Sequence, residues 1–221
     1  MRPPLLYYIT DRHAFPGEEG DRRHKLLAKI SEAARAGVDY VQLREKDLSP
    51  RELERLAADA IHCIQNAQRC VGTREPKTAL LINTRADVAI AVGAEGVHLP
   101  ANDLVPSDAR GIWNSRSVAR GARVTVSISC HTLEDIGTAE SAGADLVLFA
   151  PVFEKKALPA SKPTGLDGLR DACRSQIPVL ALGGITLKNV SACVDAGAAG
   201  IAGIRLFQEN NIAELVSRLR R

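Results

Sequence analysis

Apolar residues in this chain fall into short, unbroken runs separated by longer stretches with apolar positions three and four apart. The runs lie near residues 5–10, 40–43, 79–83, 96–99, 123–128, 146–150, 178–182 and 200–204. Runs of this length without alternation fit parallel strands buried on both faces. Intervening segments such as SPRELERLAADAIHCIQNAQ and HTLEDIGTAESA carry helical spacing, with Ser or Thr placed to cap their starts. Four phrases repeat one design: ARAGVDYVQL, AVGAEGVHL, SAGADLVLF and DAGAAGIAGI. Their shared glycines, Gly37, Gly93, Gly143 and Gly197, stand 56, 50 and 54 residues apart. Each glycine is expected to end a helix in a left-handed conformation and release the chain into a strand. Between successive phrases there is room for one more strand and helix. Eight strand–helix units of roughly 28 residues predict a single-domain (β/α)8 TIM barrel over residues 1–221. The rival is a doubly wound open sheet, whose GxGxxG fingerprint after the first strand is missing.

Composition narrows the partners. The chain has 221 residues, 45% of them hydrophobic, enough for a full core. With 29 basic and 26 acidic residues the net charge is only +3, and no basic cluster marks a nucleic-acid face. Four Phe, three Tyr and one Trp argue against a base-stacking platform. No apolar run approaches the ~20 residues that span a bilayer, and MRPPLLYYITDR turns polar too soon for a signal peptide. Five cysteines without CxxC spacing read as reduced thiols, so a cytoplasmic location is expected. Oligomeric state is left open, with a homo-oligomer admissible.

In such a barrel the chemistry gathers where strands end at the C-terminal face. The residues placed there are Thr10, Asp11 and Arg12; Arg44, Glu45 and Lys46; Asn83 and Thr84; His98, Asn102 and Asp103; Ser127, Ser129 and His131; Lys155, Lys156 and Lys162; Gly183 and Gly184; and Arg205. Cations dominate this rim, which points to anionic, phosphorylated small-molecule substrates. Gly183 and Gly184, after strand seven, let backbone N–H groups approach a phosphate. Asp103 is a candidate Mg²⁺ ligand beside substrate phosphates. Structural alternatives stand beside each reading. Arg44 and Lys46 could form an ion network with Glu45 or Asp47, and Asn83, Asp103 and Ser129 could cap helices or turns. His131 could mark a helix entry, His98 could line a wall, and the glycine pair could be a tight turn.

Over nearly its whole length the chain resembles the thiamine phosphate synthase family and its relative, thiazole tautomerase. The resemblance is carried by YYITD, VQLREK, LLINTRADVAIAVGAEGVHL, AGADLVLFAPVF, ALGGIT and AGAAGIAGI in that order. It implies coupling of a pyrimidine methyl diphosphate to a thiazole phosphate with release of pyrophosphate, assisted by Mg²⁺. It assigns Gln42, Arg44, Lys46 and Asn83 to the pyrimidine diphosphate, with Glu45 inside the same motif. Asp103 matches the Mg²⁺ ligand, Ser129 a polar contact near the pyrimidine, and Gly184 and Ile204 the cradle of the thiazole phosphate. Three departures stand out: Thr84 replaces a metal-binding Asp after Asn83, the loop after strand six reads PVFEKKALPASKPTGL, and Arg205 replaces a small hydroxyl residue. Arg205 is therefore expected either to grip the thiazole phosphate or to fill its site. Thr84, HLPANDL and His131 lean toward the tautomerase branch, where His131 would move a proton on the thiazole. A phosphate-binding paralogue without turnover is the third alternative.

Overall fold

The computed structural model describes residues 3–71, 78–101, 104–116, 124–154 and 162–220. Eight parallel strands close into a barrel in chain order: β1 (Leu5–Ile9), β2 (Tyr40–Leu43), β3 (Ala79–Asn83), β4 (Gly96–Leu99), β5 (Thr125–Cys130), β6 (Leu146–Phe149), β7 (Val179–Ala181) and β8 (Gly200–Gly203). β8 pairs back onto β1, Leu6 opposite Ile201, so no edge is left open. The helices between them are α1 (Glu19–Ala36), α2 (Pro50–Val71), α3 (Ala86–Val92), α4 (Pro106–Arg116), α5 (Leu133–Ser141), α6 (Gly165–Ala172) and α7 (Val190–Asp195). Two more, α8 (Arg205–Gln208) and α9 (Ile212–Leu219), complete the ring after β8.

Alternation along each strand divides the core in two. Leu6, Tyr8, Val41, Leu43, Leu80 and Ile82 face outward and pack with the helices in one large apolar cluster. Tyr7, Ile9, Leu81, Leu146, Leu148, Leu180 and Ala202 face inward and fill the barrel. Both sets are almost wholly buried, which is why the strands read as unbroken apolar runs.

The repeated glycines act as the pattern requires. Gly37, Gly93, Gly143 and Gly197 all take positive φ, between 70° and 101°, directly after helices or their last turns. Thr132 caps α5 in a reciprocal box with Asp135, each side chain bonding the other's backbone N–H. The strand bounds differ from the sequence expectation chiefly at β5, which runs two residues later and so carries Ser129 and Cys130 inside the strand. Asn102, Asp103, Lys155 and Lys156 lie outside the described residues. Among the described residues no helix is long and apolar enough to cross a membrane.

Candidate active site

The barrel interior is polar on one side. Asn83 on β3, His98 on β4 and Ser127 on β5 stand in register across neighbouring strands, and the side opposite is Leu146, Leu148, Leu180 and Ala202. The polar arc rises to the C-terminal ends of β2 to β5, where the predicted rim residues cluster.

At the end of β2 the sequence Arg44-Glu45-Lys46-Asp47 alternates in charge, and the structure sorts the charges by partner. Arg12, buried just after β1, takes both acids. Its Nη1 lies 3.1 Å from Glu45 Oε2 and 2.7 Å from Asp47 Oδ1, and its Nη2 also donates to Asp47. Nε reaches Glu19 at the start of α1, at 2.9 Å. Glu45 is held further: the Thr10 hydroxyl donates to Oε1 at 2.6 Å and the Arg12 backbone N–H to Oε2 at 3.1 Å. The same Thr10 oxygen accepts the Arg44 backbone N–H at 2.9 Å, which pins the chain as it leaves β2. Asp47, though exposed, is held far below the usual carboxylate range, first by its hydrogen bonds from Arg12. Neither Arg44 nor Lys46 pairs with a carboxylate among the described residues. The ion network proposed for those two cations is therefore corrected: it exists, but Arg12 occupies it. Glu45 is corrected with it. Expected as a substrate contact, it is buried with both oxygens engaged, a strut beneath the mouth.

Gln42 and Asn83 face each other across β2 and β3, Gln42 Nε2 donating to Asn83 Oδ1 at 2.8 Å. Asn83 in turn donates to Thr84 Oγ1 at 2.6 Å, so it does not cap α3. Gln42 is buried, and its Oε1 is an acceptor without a protein partner among the described residues. A buried acceptor of this kind is open to a donor from water or from a ligand. Thr84 sits at φ 68°, a left-handed conformation rare for a β-branched residue, and its N–H donates to the His98 carbonyl at 2.8 Å.

On the next strands, His98 lies between Ser127 and Ser129, with Nδ1 and Nε2 at 2.9 and 3.0 Å from their hydroxyls. Burial drives its pKa down from 6.5 to about 3, helped by the charge of Arg44, so the ring is neutral. His131, exposed just past β5, directs Nδ1 at the Ala150 carbonyl, 2.6 Å away. A carbonyl only accepts, so Nδ1 is a donor in this contact.

Gly183 and Gly184 follow β7, both at positive φ. A Cβ on Gly184 would stand 2.7 Å from Phe153 Cβ and 2.8 Å from the Glu154 carbonyl, so only glycine fits there. Asn189 ties the turn closed by donating to the Gly184 carbonyl at 3.0 Å. Ile204 and Arg205 follow β8; Arg205, the first residue of α8, is exposed. Lys162 is exposed as well.

The expected residues of β2, β3, β5, β7 and β8 thus meet at one end of one barrel. Three contributors were not singled out from the sequence: Arg12 as the counter-ion of three acids, Asn189 as the lock on the glycine turn, and Tyr7 inside the barrel. Tyr7 had a usable signal, since a tyrosine at an inward strand position needs a partner for its hydroxyl.

The chain matches the family model described as thiamine monophosphate synthase over residues 6–207. It is 39% identical over 210 residues to a putative thiamine-phosphate synthase 2 of Aquifex aeolicus, covering 95% of this chain and all of that protein. It is 36% identical to a thiamine-phosphate synthase of Halalkalibacterium halodurans, over 92% of this chain and 87% of that one. Among solved structures, the thiamine phosphate pyrophosphorylase of Pyrococcus furiosus superposes with a TM-score of 0.75 at 28% identity, over 98% of this chain and 93% of that one.

Proposed function

The chain belongs to the thiamine monophosphate synthase family, and from that premise we propose how its mouth performs the synthase reaction. The enzyme is a transferase: it couples a pyrimidine methyl diphosphate to a thiazole phosphate, forming thiamine phosphate and releasing pyrophosphate. The bond between the methylene carbon and the diphosphate oxygen breaks, its electron pair leaves with pyrophosphate, and the thiazole supplies the pair for the new bond. Negative charge collects on the leaving group, so cations aimed at it stabilise the transition state more than the ground state. The observation that carries this reading is the sorting of charge after β2. Arg12 forms ion pairs with Glu45 and Asp47, leaving Arg44 and Lys46 without a carboxylate partner among the described residues at the mouth.

In this reading Arg44 and Lys46 bind the diphosphate, and Gln42 and Asn83 orient the pyrimidine with their amides. Ser129 contacts the same substrate from the opposite wall, and the turn at Gly183 and Gly184, with Ile204 and Arg205, receives the thiazole phosphate. Relatives 36% and 39% identical carry the synthase name, which weighs against the isomerase and the non-catalytic alternatives.

Mg²⁺ is implied by the family likeness. Among the described residues near the mouth, Glu45 and Asp47 are engaged by Arg12 and Asp87 by Arg85, while Asp11 accepts the His13 backbone N–H. No three His, Cys, Asp or Glu side chains gather there as a metal set. These donors do not fit a divalent ion by themselves. Asp103 stays the proposed ligand; a Mg²⁺ requirement that rises in Asp103→Asn supports it, and an unchanged requirement removes it. Five free thiols suit a reducing, cytoplasmic compartment.

Purified protein given both substrates should release pyrophosphate and form thiamine phosphate in equal amounts. No product at saturating substrate and Mg²⁺ would overturn the assignment.

A further inference from the structure

His98 is the middle of a longer chain. Ser127 Oγ, its partner at Nδ1, also lies 2.9 Å from the hydroxyl of Tyr7. Tyr7, His98 and Ser127 are buried, while Ser129 at the far end is partly exposed at the mouth. Four side chains from β1, β4 and β5 therefore form one line of hydrogen bonds from inside the barrel to the site.

Counting protons fixes the direction of that line. A neutral imidazole has one N–H and one bare nitrogen, and each hydroxyl has one proton to give. In one arrangement Tyr7 donates to Ser127, Ser127 to Nδ1, and Nε2–H to Ser129; every buried donor is satisfied. In the reverse arrangement Ser129 donates to Nε2, Nδ1–H to Ser127 and Ser127 to Tyr7. The Tyr7 proton then has no acceptor among the described residues. Its one other neighbour in reach, His98 Nδ1 at 3.5 Å, carries a proton itself in that arrangement. A mixed arrangement, with Tyr7 and Nδ1–H both donating to Ser127, strands the Ser127 proton instead. A donor left unpaired in a dry interior costs the full desolvation of that group. The first arrangement therefore wins.

We propose that this line has a fixed polarity from Tyr7 to Ser129, so that Ser129 meets the substrate as a hydrogen-bond donor and His98 is the residue that positions it. The proposal deepens the synthase reading of the same mouth and rests on it for the identity of the substrate. The atom Ser129 faces is then an acceptor, a ring nitrogen or a phosphoryl oxygen. The polarity also removes the nucleophile-and-base reading that a serine beside a histidine invites. Nε2 already holds a hydrogen and cannot take the one on Ser129. Since the donor is oriented before substrate arrives, no reorganisation is needed on binding.

The test reads the tautomer and the kinetics separately. Nitrogen-15 NMR of histidine-labelled protein, with His98 assigned by its loss in His98→Gln, should show a neutral ring protonated at Nε2 from about pH 5 to about pH 9. A ring protonated at Nδ1, or charged in that range, overturns the proposal whatever the activity. His98→Leu should lower kcat/KM roughly tenfold, the loss of one oriented hydrogen bond. His98→Gln, whose amide N–H can still donate toward Ser129, should recover most of that loss. Equal losses in two folded variants would reduce His98 to a space-filling role. Should His98→Leu fail to fold, the tautomer measurement still decides. Should the wild type make no thiamine phosphate, the functional reading falls while the tautomer still reports on the polarity.

Discussion

A cation already held by a carboxylate has less to give a ligand, and among the described residues Arg44 and Lys46 have no such partner because Arg12 holds their acidic neighbours. A hydrogen bond to a charged group contributes about 1.5–3 kcal/mol. Arg44→Ala and Lys46→Ala should therefore each raise KM for the diphosphate substrate about ten- to a hundredfold, with the urea midpoint unchanged. A large drop in that midpoint would return both residues to a structural role. Thr84 invites the opposite experiment. Its φ of 68° is unfavourable for a β-branched side chain. Asn tolerates that conformation and can still accept from Asn83, so Thr84→Asn should stabilise the fold by about 0.5–1 kcal/mol in urea denaturation. The residue types of the site were legible in the sequence because strand ends mark them. The pairing was not: Arg12 lies 33 and 35 residues from Glu45 and Asp47, and strand pairing alone brings them together.

Arg12 matters equally to the elements it joins, since it links the turn after β1, the start of α1 and the end of β2. Removing one partner of a buried pair leaves an uncompensated charge, at about 3–5 kcal/mol. Arg12→Met should therefore destabilise by that amount, because Glu45 stays buried. Glu45→Gln should cost less, since the amide oxygen can still accept from Thr10. In Arg12→Met/Glu45→Met part of the loss should return, as apolar packing replaces the pair. A strictly additive double variant would show that the two side chains do not share one network. Most elements could be placed beforehand, because helix-ending glycines and apolar runs are local signals. The end of β5 could not. It extends to Cys130 by pairing with β6, Ser129 opposite Leu148 and Cys130 opposite Phe149, a contact that no local pattern encodes.

At the scale of the whole molecule, the barrel encloses a polar line on one side and an apolar wall on the other, and that choice makes the fold sensitive to acid. His98 is held neutral down to about pH 3, whereas an exposed histidine takes its proton near 6.5. Between those values the unfolded chain binds the extra proton, so stability is complete above about pH 6.5 and falls as pH drops below it. The slope from this one group is at most about 1.4 kcal/mol per pH unit. The carboxylates act in the same direction but later. Asp47 and Asp87 titrate lower in the fold than their ordinary 3.8, held there chiefly by hydrogen bonds from Arg12 and Arg85. Their contribution is present above that value and lost as pH falls through it. Urea midpoints measured from pH 8 downward should thus decline in two stages, one beginning near 6.5 and a steeper one near 4. In His98→Gln the first stage should disappear and the second remain, because a buried amide binds no proton. A first stage that survives the substitution would mean that another histidine, and not the one inside the barrel, couples this fold to pH.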